Sequence, residues 1–379
     1  VELWKIDPQR APGPLRKIAN KEIHLWLGAW LADRARRMRM PRIEGKRHLL
    51  FAICDHYEPL LGEAPMEQGI ARVAAWRERY PKLERFRDST GRPPRHSYFF
   101  PGEQYDPRLI EPIAELVERG FGEFEVHLHH DGDTRQTLAA SLKKTTDDLG
   151  RHGVMSKKNG QWAWSFIHGN WCLSNSRRDG KWCGVDDEME LLYELGCYAY
   201  FTFPSAPSET QPGIVNSIYY VRGDVARRRA YEDGEAVHVG SAKQERLLLI
   251  EGPLALSFRP NSARVRIEAG TLDAGDPPTA PRLDTWVSQN VHVEGRPEWT
   301  FVKVHTHGAP EANAEAMLGE KIHRFHEAIA KYNDGTQWDL HYVTAREMYN
   351  VARAAMDGRS GNPADYYDYE IPPPDRARR

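Results

Sequence analysis

Histidines and carboxylates gather at the ends of a few apolar runs in this chain. Asp55-His56-Tyr57-Glu58 closes one run, His127 to Asp133 a second, His168 a third and His305-Thr306-His307 a fourth. These side chains ligate divalent cations and exchange protons near neutral pH. His129 and Asp133 lie four residues apart just after an apolar run. If that segment turns helically, both project the same way and grip one ion. Asp55 or His56 then supplies the third ligand, and the adjacent pair leaves both choices open. A catalytic zinc takes three protein ligands and keeps one position free. A His/Asp/His set suits zinc and also nickel, cobalt or iron(II). The plain alternative is a polar loop in which Asp131-Gly132 makes a turn.

Positioning such groups needs strands whose C-terminal ends converge, as they do in parallel α/β folds. His48–Cys54, His96–Phe100, Phe124–Leu128, Trp162–Ile167, Tyr198–Phe203, Phe301–Val304 and Leu340–Val343 read as strands. Helical patterns over 66–87, 106–119, 134–152, 186–195, 311–332 and 344–356 alternate with them. That rhythm predicts an α/β fold with a parallel sheet or barrel and helices outside it. It breaks over residues 205–300, which read as inserted loops and hairpins. Residues 1–45 read as an irregular arm and an amphipathic helix, 46–357 as the main body, and 358–379 as an extended tail. On the N-terminal helix Ile23, Trp26, Leu27, Trp30 and Leu31 form a stripe flanked by basic residues. The stripe fits packing on the main domain, or peripheral contact with an anionic membrane surface.

The composition narrows the classes. Across 379 residues, 52 Lys and Arg balance 54 Asp and Glu. That argues against a broad basic face for nucleic acid. With 40% hydrophobic residues the chain is an ordinary folding sequence. Its 4 cysteines include no CxxC pair, so a thiolate zinc site is not expected. One disulfide among Cys172, Cys183 and Cys197 is conceivable. No apolar run reaches the ~18 residues of a membrane span. No signal peptide is visible, and cytoplasm and periplasm both stay open.

The order of these motifs resembles the polysaccharide deacetylase family, the NodB-homology fold of carbohydrate esterases. Ala52-Ile53-Cys54-Asp55-His56 stands where that family has a T-F-D-D-G type strand end. Glu125-Val126-His127-Leu128-His129, leading to Asp133, stands where it has H-x-x-x-H. Phe301-Val302-Lys303-Val304-His305 matches its last apolar strand ending in His. The resemblance covers residues 46–204 and 297–356. His56 replaces the second Asp, Asp133 the second His, and Phe166-Ile167-His168-Gly169-Asn170-Trp171 the Arg-x-Pro motif. It implies a distorted (β/α) barrel, with Asp55 as general base and His305 as general acid. It implies a divalent metal, zinc foremost, on His56, His129 and Asp133.

Other residues keep two readings. Glu58 is either a carboxylate beside the metal or the cap of its loop. His307 backs up His305 or supports it from behind. His168 and Trp171 line a sugar site or are packed down. His323, His326 and His341 read as structural or solvated. The resulting expectation is a metal-dependent hydrolase that removes acetyl groups from a polysaccharide or glycan. The alternatives are a glycoside hydrolase, which needs two carboxylates about 5–9 Å apart, and a non-catalytic glycan-binding or assembly protein.

Overall fold

The computed structural model describes residues 3–5, 16, 20–258 and 265–378. Most of the irregular arm expected over 1–14 lies outside the described residues. A large, mostly parallel sheet forms the centre, in the order β12 (Thr271–Leu272), β13 (Trp299–Thr306), β1 (Arg47–His56), β2 (His96–Pro101), β3 (Gly122–Leu128), β5 (Gln161–His168), β6 (Cys197–Tyr200), β9 (Leu248–Ile250), β7 (Ile218–Val221), β8 (Gly234–Ala236). The principal strands are β1, β2, β3, β5, β6 and β13. β14 (Trp338–Tyr342) pairs with the first half of β1, while β2 pairs with its end. The short β4 (Ser156–Lys158) hangs on β5.

Both faces of the sheet are covered, so its strands read as continuous apolar runs rather than alternating ones. Leu49, Phe51 and Ile53 of β1 belong to a core on one face. That face is covered by α2 (Met66–Arg79), α3 (Pro107–Glu118), α4 (Arg135–Gly150), α5 (Glu188–Glu194), α6 (Ala280–Ser288), α7 (Glu311–Leu318) and α8 (Glu320–Ile329). Leu50, Ala52 and Cys54 belong to a second core on the other face, filled by α9 (Ala345–Met356). Every residue of α9 is buried. The hydrogen-bonded order is open-ended, yet the sheet curls. Lys303 of β13 donates from Nζ to Phe201 O at 2.7 Å, just beyond β6.

The structure modifies several expectations. Residues 205–300, expected as inserted loops and hairpins, do hold antiparallel hairpins and also add strands to the main sheet. β7 (Ile218–Val221), β8 (Gly234–Ala236) and β9 (Leu248–Ile250) extend the main sheet, partly antiparallel. β10 (Ala255–Phe258) and β11 (Val265–Glu268) form a separate ribbon, and β12 (Thr271–Leu272) joins the sheet edge at β13. The helix expected over 311–332 is interrupted at Gly319, which closes α7 and opens α8 in an extended conformation. The N-terminal helix α1 (Ile23–Arg39) buries Leu25, Trp26 and Trp30 against Val215, Leu254 and Ala269. Leu31 of its stripe stays exposed. The tail over 358–378 is docked on the main body, with Ile371 buried. All four cysteines are buried and free. Among the described residues no helix is long and apolar enough to cross a membrane.

His326 and His341 are buried parts of this frame, while His323 stays partly exposed. His326 on α8 pairs its Nδ1 with the Tyr342 hydroxyl at 2.9 Å, and burial pushes its pKa down to about 3. An unfolded histidine titrates near 6.5. Between those values the unfolded chain binds a proton here that the folded chain refuses. The stability contributed by the neutral ring is complete above about pH 6.5. It is lost as pH falls toward 3, by about 1.4 kcal/mol per unit for one proton. His326→Gln is expected to flatten the acid side of the stability curve by up to that slope. Urea unfolding midpoints from neutrality to about pH 5 test it, and parallel curves for the two proteins would refute it.

Candidate metal centre

Neighbouring residues of a strand project to opposite faces, and this decides which candidates meet. On β1, Asp55 follows Phe51 and Ile53 onto the helix-covered face, and His56 follows Leu50, Ala52 and Cys54 onto the other. The register pairs Cys54 with His305 across β13, and His56 with Phe99 and Phe99 with Glu125 across β2 and β3. His127 lies two residues past Glu125, on the same face as His56. His56, Glu58 and His127 accordingly come together, each offering one ligand atom within 4.8 Å of the others. Two more imidazoles close in. His307 Nε2 lies 3.6 Å from Glu58 Oε1, and His129 Nε2 lies 3.9 Å from Glu58 Oε2. The ring centres of His56 and His307 are 4.5 Å apart.

Tautomers make the cluster chemically specific. His127 Nδ1 donates to the Ile167 carbonyl at 2.7 Å. On the neutral ring Nε2 then carries a lone pair, and it faces Glu58 Oε1 at 3.5 Å. His129 Nδ1 likewise donates to the Glu103 carboxylate at 2.6 Å, turning Nε2 inward. His56 Nε2, His127 Nε2 and Glu58 Oε1 are all buried without a hydrogen-bond partner. Unpartnered polar atoms gathered in a buried site are costly, and a cation between them removes the cost. The residues fit a divalent metal, held by His56, Glu58 and His127, with His129 and His307 alongside. Burial, reinforced by the neighbouring imidazoles, holds the His56 pKa well below its usual value, which favours the neutral, ligating ring. Burial opposes the charge of Glu58, but His127, His307 and His129 outweigh it and lower its pKa.

No protein-family model and no curated protein matches this chain.

The structure distributes the expected site residues unevenly. Asp55 is fully buried, accepting from His96 Nε2 at 2.9 Å and from the Gly308 amide at 2.7 Å. Trp76 Nε1 donates to the Gly308 carbonyl at 3.0 Å. These bonds fix the turn that carries His307, and both Asp55 oxygens are occupied. A Cβ on residue 308 would come within 2.3 Å of Asp55 Oδ2, so only glycine fits. His305 lies beside the cluster, its ring centre 6.1 Å from that of His56 and its Nε2 3.0 Å from Thr271 Oγ1. Glu58 faces the metal cluster.

Asp133 is not brought to His56. The segment after β3 is not helical, since α4 begins at Arg135 behind the Thr134 cap. The spacing argument for His129 and Asp133 therefore fails. Asp133 instead accepts from Thr137 Oγ1 at 2.5 Å and lies 3.2 Å from His130 Nδ1. His168 is fully buried beside Glu188 and presents nothing to an arriving sugar. Trp171 is partly buried, in a left-handed backbone conformation. Gly169 has a visible purpose, because a Cβ there would meet the His129 ring at 2.4 Å.

His127 as a ligand, and His96 and Glu103 as supports, are not among the residues that the sequence singles out. His127 had a signal. It shares strand parity with Glu125, at the end of an apolar run. His96 and Glu103 carried none, being single polar residues whose partners are distant in the chain.

Proposed function

We propose that this chain is a metal-dependent hydrolase that removes acyl groups, acetyl foremost, from a glycan. The observation that carries the reading is the buried trio His56, Glu58 and His127 with its unpartnered polar atoms. It lies at the C-terminal ends of parallel strands, where such folds place catalysis. The curl of the sheet fits a distorted (β/α) barrel of the polysaccharide deacetylase type, and the proposal extends to that fold. A divalent cation, zinc foremost, would polarise an acyl carbonyl and supply a nucleophilic water near neutral pH.

The protein groups divide the remaining work. The side chains of His129 and His307 are 32% and 31% exposed, so substrate approaches from their side. Burial lowers the His129 pKa, but the hydrogen bond to Glu103 and the charge of Glu58 more than compensate and raise it. His129, anchored on Glu103 at the exposed side of the cluster, is placed to donate a proton to a leaving amine or alcohol. Burial lowers the pKa of His305 and His307, so both rings are neutral, and His307 on the exposed side is the one placed to meet substrate. Asp55 acts through the 308 turn, as a positioning residue for His307. A positioned acid and a positioned base contribute about 10²–10⁴-fold each.

Acetate release from a panel of N- and O-acetylated oligosaccharides tests the reading. The protein is stripped with a chelator and reloaded with zinc or cobalt. Acetate release that follows metal loading is expected. Release of reducing ends without acetate would replace the proposal with a glycoside hydrolase. Saturable glycan binding with no turnover in any metal form would replace it with a binding protein.

A further inference from the structure

A second group of metal-ligating side chains lies on the opposite, helix-covered face of the sheet. His130, His168, Cys183 and Glu188 each offer a ligand atom within 4.8 Å of the others. They come from four places: the segment after β3, the end of β5, the loop that follows it, and α5. β5 shows why the two groups are separate. His168 follows Trp164 and Phe166 into the helix-side core, whereas Ile167 belongs to the other.

The spacings around the Glu188 carboxylate match those of donors sharing one ion. Metal–donor bonds of about 2.0–2.3 Å place tetrahedral donors roughly 3.3–3.8 Å apart. His168 Nε2 lies 3.3 Å and His130 Nε2 3.4 Å from Glu188 Oε1, and Cys183 Sγ lies 3.3 Å from Glu188 Oε2. His168 Nδ1 donates to the Gly169 carbonyl at 2.5 Å, so the free edge of the ring is Nε2, buried and without a hydrogen-bond partner. Cys183 Sγ accepts from the backbone amides of Asn175 at 3.2 Å and Val185 at 3.4 Å. Those amides favour a thiolate, whereas burial and the Glu188 carboxylate push the thiol pKa up, so a cation among these donors is what the thiolate would require. Behind the ligands, Asp133 lies 3.2 Å from His130 Nδ1, the carboxylate support that metal-bound histidines usually have.

We propose that His130, His168, Cys183 and Glu188 bind a second divalent metal, most simply zinc, as a closed structural site. Four protein ligands, all of them buried or nearly so, leave no position for substrate. What the site ties down is evident. The chain from 169 to 187 has little regular structure and holds Asn170, Trp171, Ser174, Asn175 and Trp182 in left-handed conformations. One ion would clamp that loop to the ends of β3 and β5 and to α5. The assignment is independent of the first site and of its proposed chemistry.

The test uses the full chain loaded with cobalt(II) or zinc and freed of excess. Two equivalents of metal are expected, with a thiolate-to-cobalt charge-transfer band in the near ultraviolet. Cys183→Ala should lose the band and one equivalent. His127→Ala should lose the other equivalent and keep the band. One equivalent or none in the wild-type protein, with no thiolate band, would overturn the proposal and leave a buried His–Glu ion pair. A band that survives in Cys183→Ala would overturn it as well. If Cys183→Ala fails to fold, Cys183→Ser and the wild-type band decide in the same way.

Discussion

If the proposed function holds, His127→Ala is expected to abolish metal binding at the C-terminal ends of β1 and β3, and acetate release with it, while the protein stays folded. The ring is fully buried, and its Nε2 faces Glu58 and neighbours His56. Removing it takes away one of the three donors that meet there. Groups that only support a ligand are worth roughly 10–100-fold in metal affinity, so loss of a direct donor should exceed that. Glu103→Gln provides the internal scale. It weakens the 2.6 Å bond behind His129 and should cost about 10–100-fold, in affinity or in rate. Asp55→Asn should keep its metal, because its carboxylate is turned toward His96 and Gly308 on the other side of β1. Its loss should appear in turnover, through a displaced His307. Metal content and acetate release measured on the three variants separate these roles. A full complement of metal in His127→Ala, or its loss in Asp55→Asn, would show that the ligands were assigned to the wrong side of the strand.

That distinction marks where the sequence stopped being informative. The apolar runs ending in Asp55, His127, His168 and His305 were visible, and so was the alternation of strand and helix that brings their ends together. Parity within β1 was not visible. Leu49, Phe51 and Ile53 are as apolar as Leu50, Ala52 and Cys54, because both faces are buried. A strand covered on both sides has no polar face to show which way Asp55 points. The pairing of His129 with Asp133 assumed a helical turn, and the Thr134 cap starts the helix too late for that. His129 and His130 instead turn to different clusters, a divergence that no periodicity encodes. Cys183 and Glu188 were still harder to place. They meet His130 and His168 only because an irregular loop folds back over the sheet, and its left-handed residues follow no repeat. Loop-borne ligands of this kind become evident only in three dimensions.

The largest expected stability effect lies away from either cluster, at Arg346. It opens α9, on the face of the sheet opposite the helix layer. Its guanidinium forks onto Glu123 with bonds of 2.9 and 2.8 Å. The remaining nitrogen donates to the carbonyls of Tyr367 at 3.0 Å and Ile371 at 2.8 Å, and to Asp368 at 2.7 Å. Burial opposes the charge, but Glu123, Glu347 and Asp368 outweigh it and raise the pKa of Arg346. The same residue therefore joins β3, α9 and the docked tail. Arg346→Met would leave Glu123 buried with Arg95 at 3.2 Å and the Thr344 hydroxyl at 2.8 Å as its remaining partners. Breaking one side of such a buried pair costs about 3–5 kcal/mol. That is a large share of the roughly 5–15 kcal/mol by which folded proteins are stable. Thermal or urea unfolding should register the loss. Adding Glu123→Gln should recover part of it, since an amide is cheaper to bury than an unpaired carboxylate. The tail keeps a second anchor in Asn350, whose Nδ2 reaches the same two carbonyls at 2.7 and 2.8 Å. Metal retained per folded molecule should not change, because neither cluster touches this network. A cost below about 1 kcal/mol, the range of exposed ion pairs, would mean that solvent relaxes the network and that the tail does not lock α9 in place.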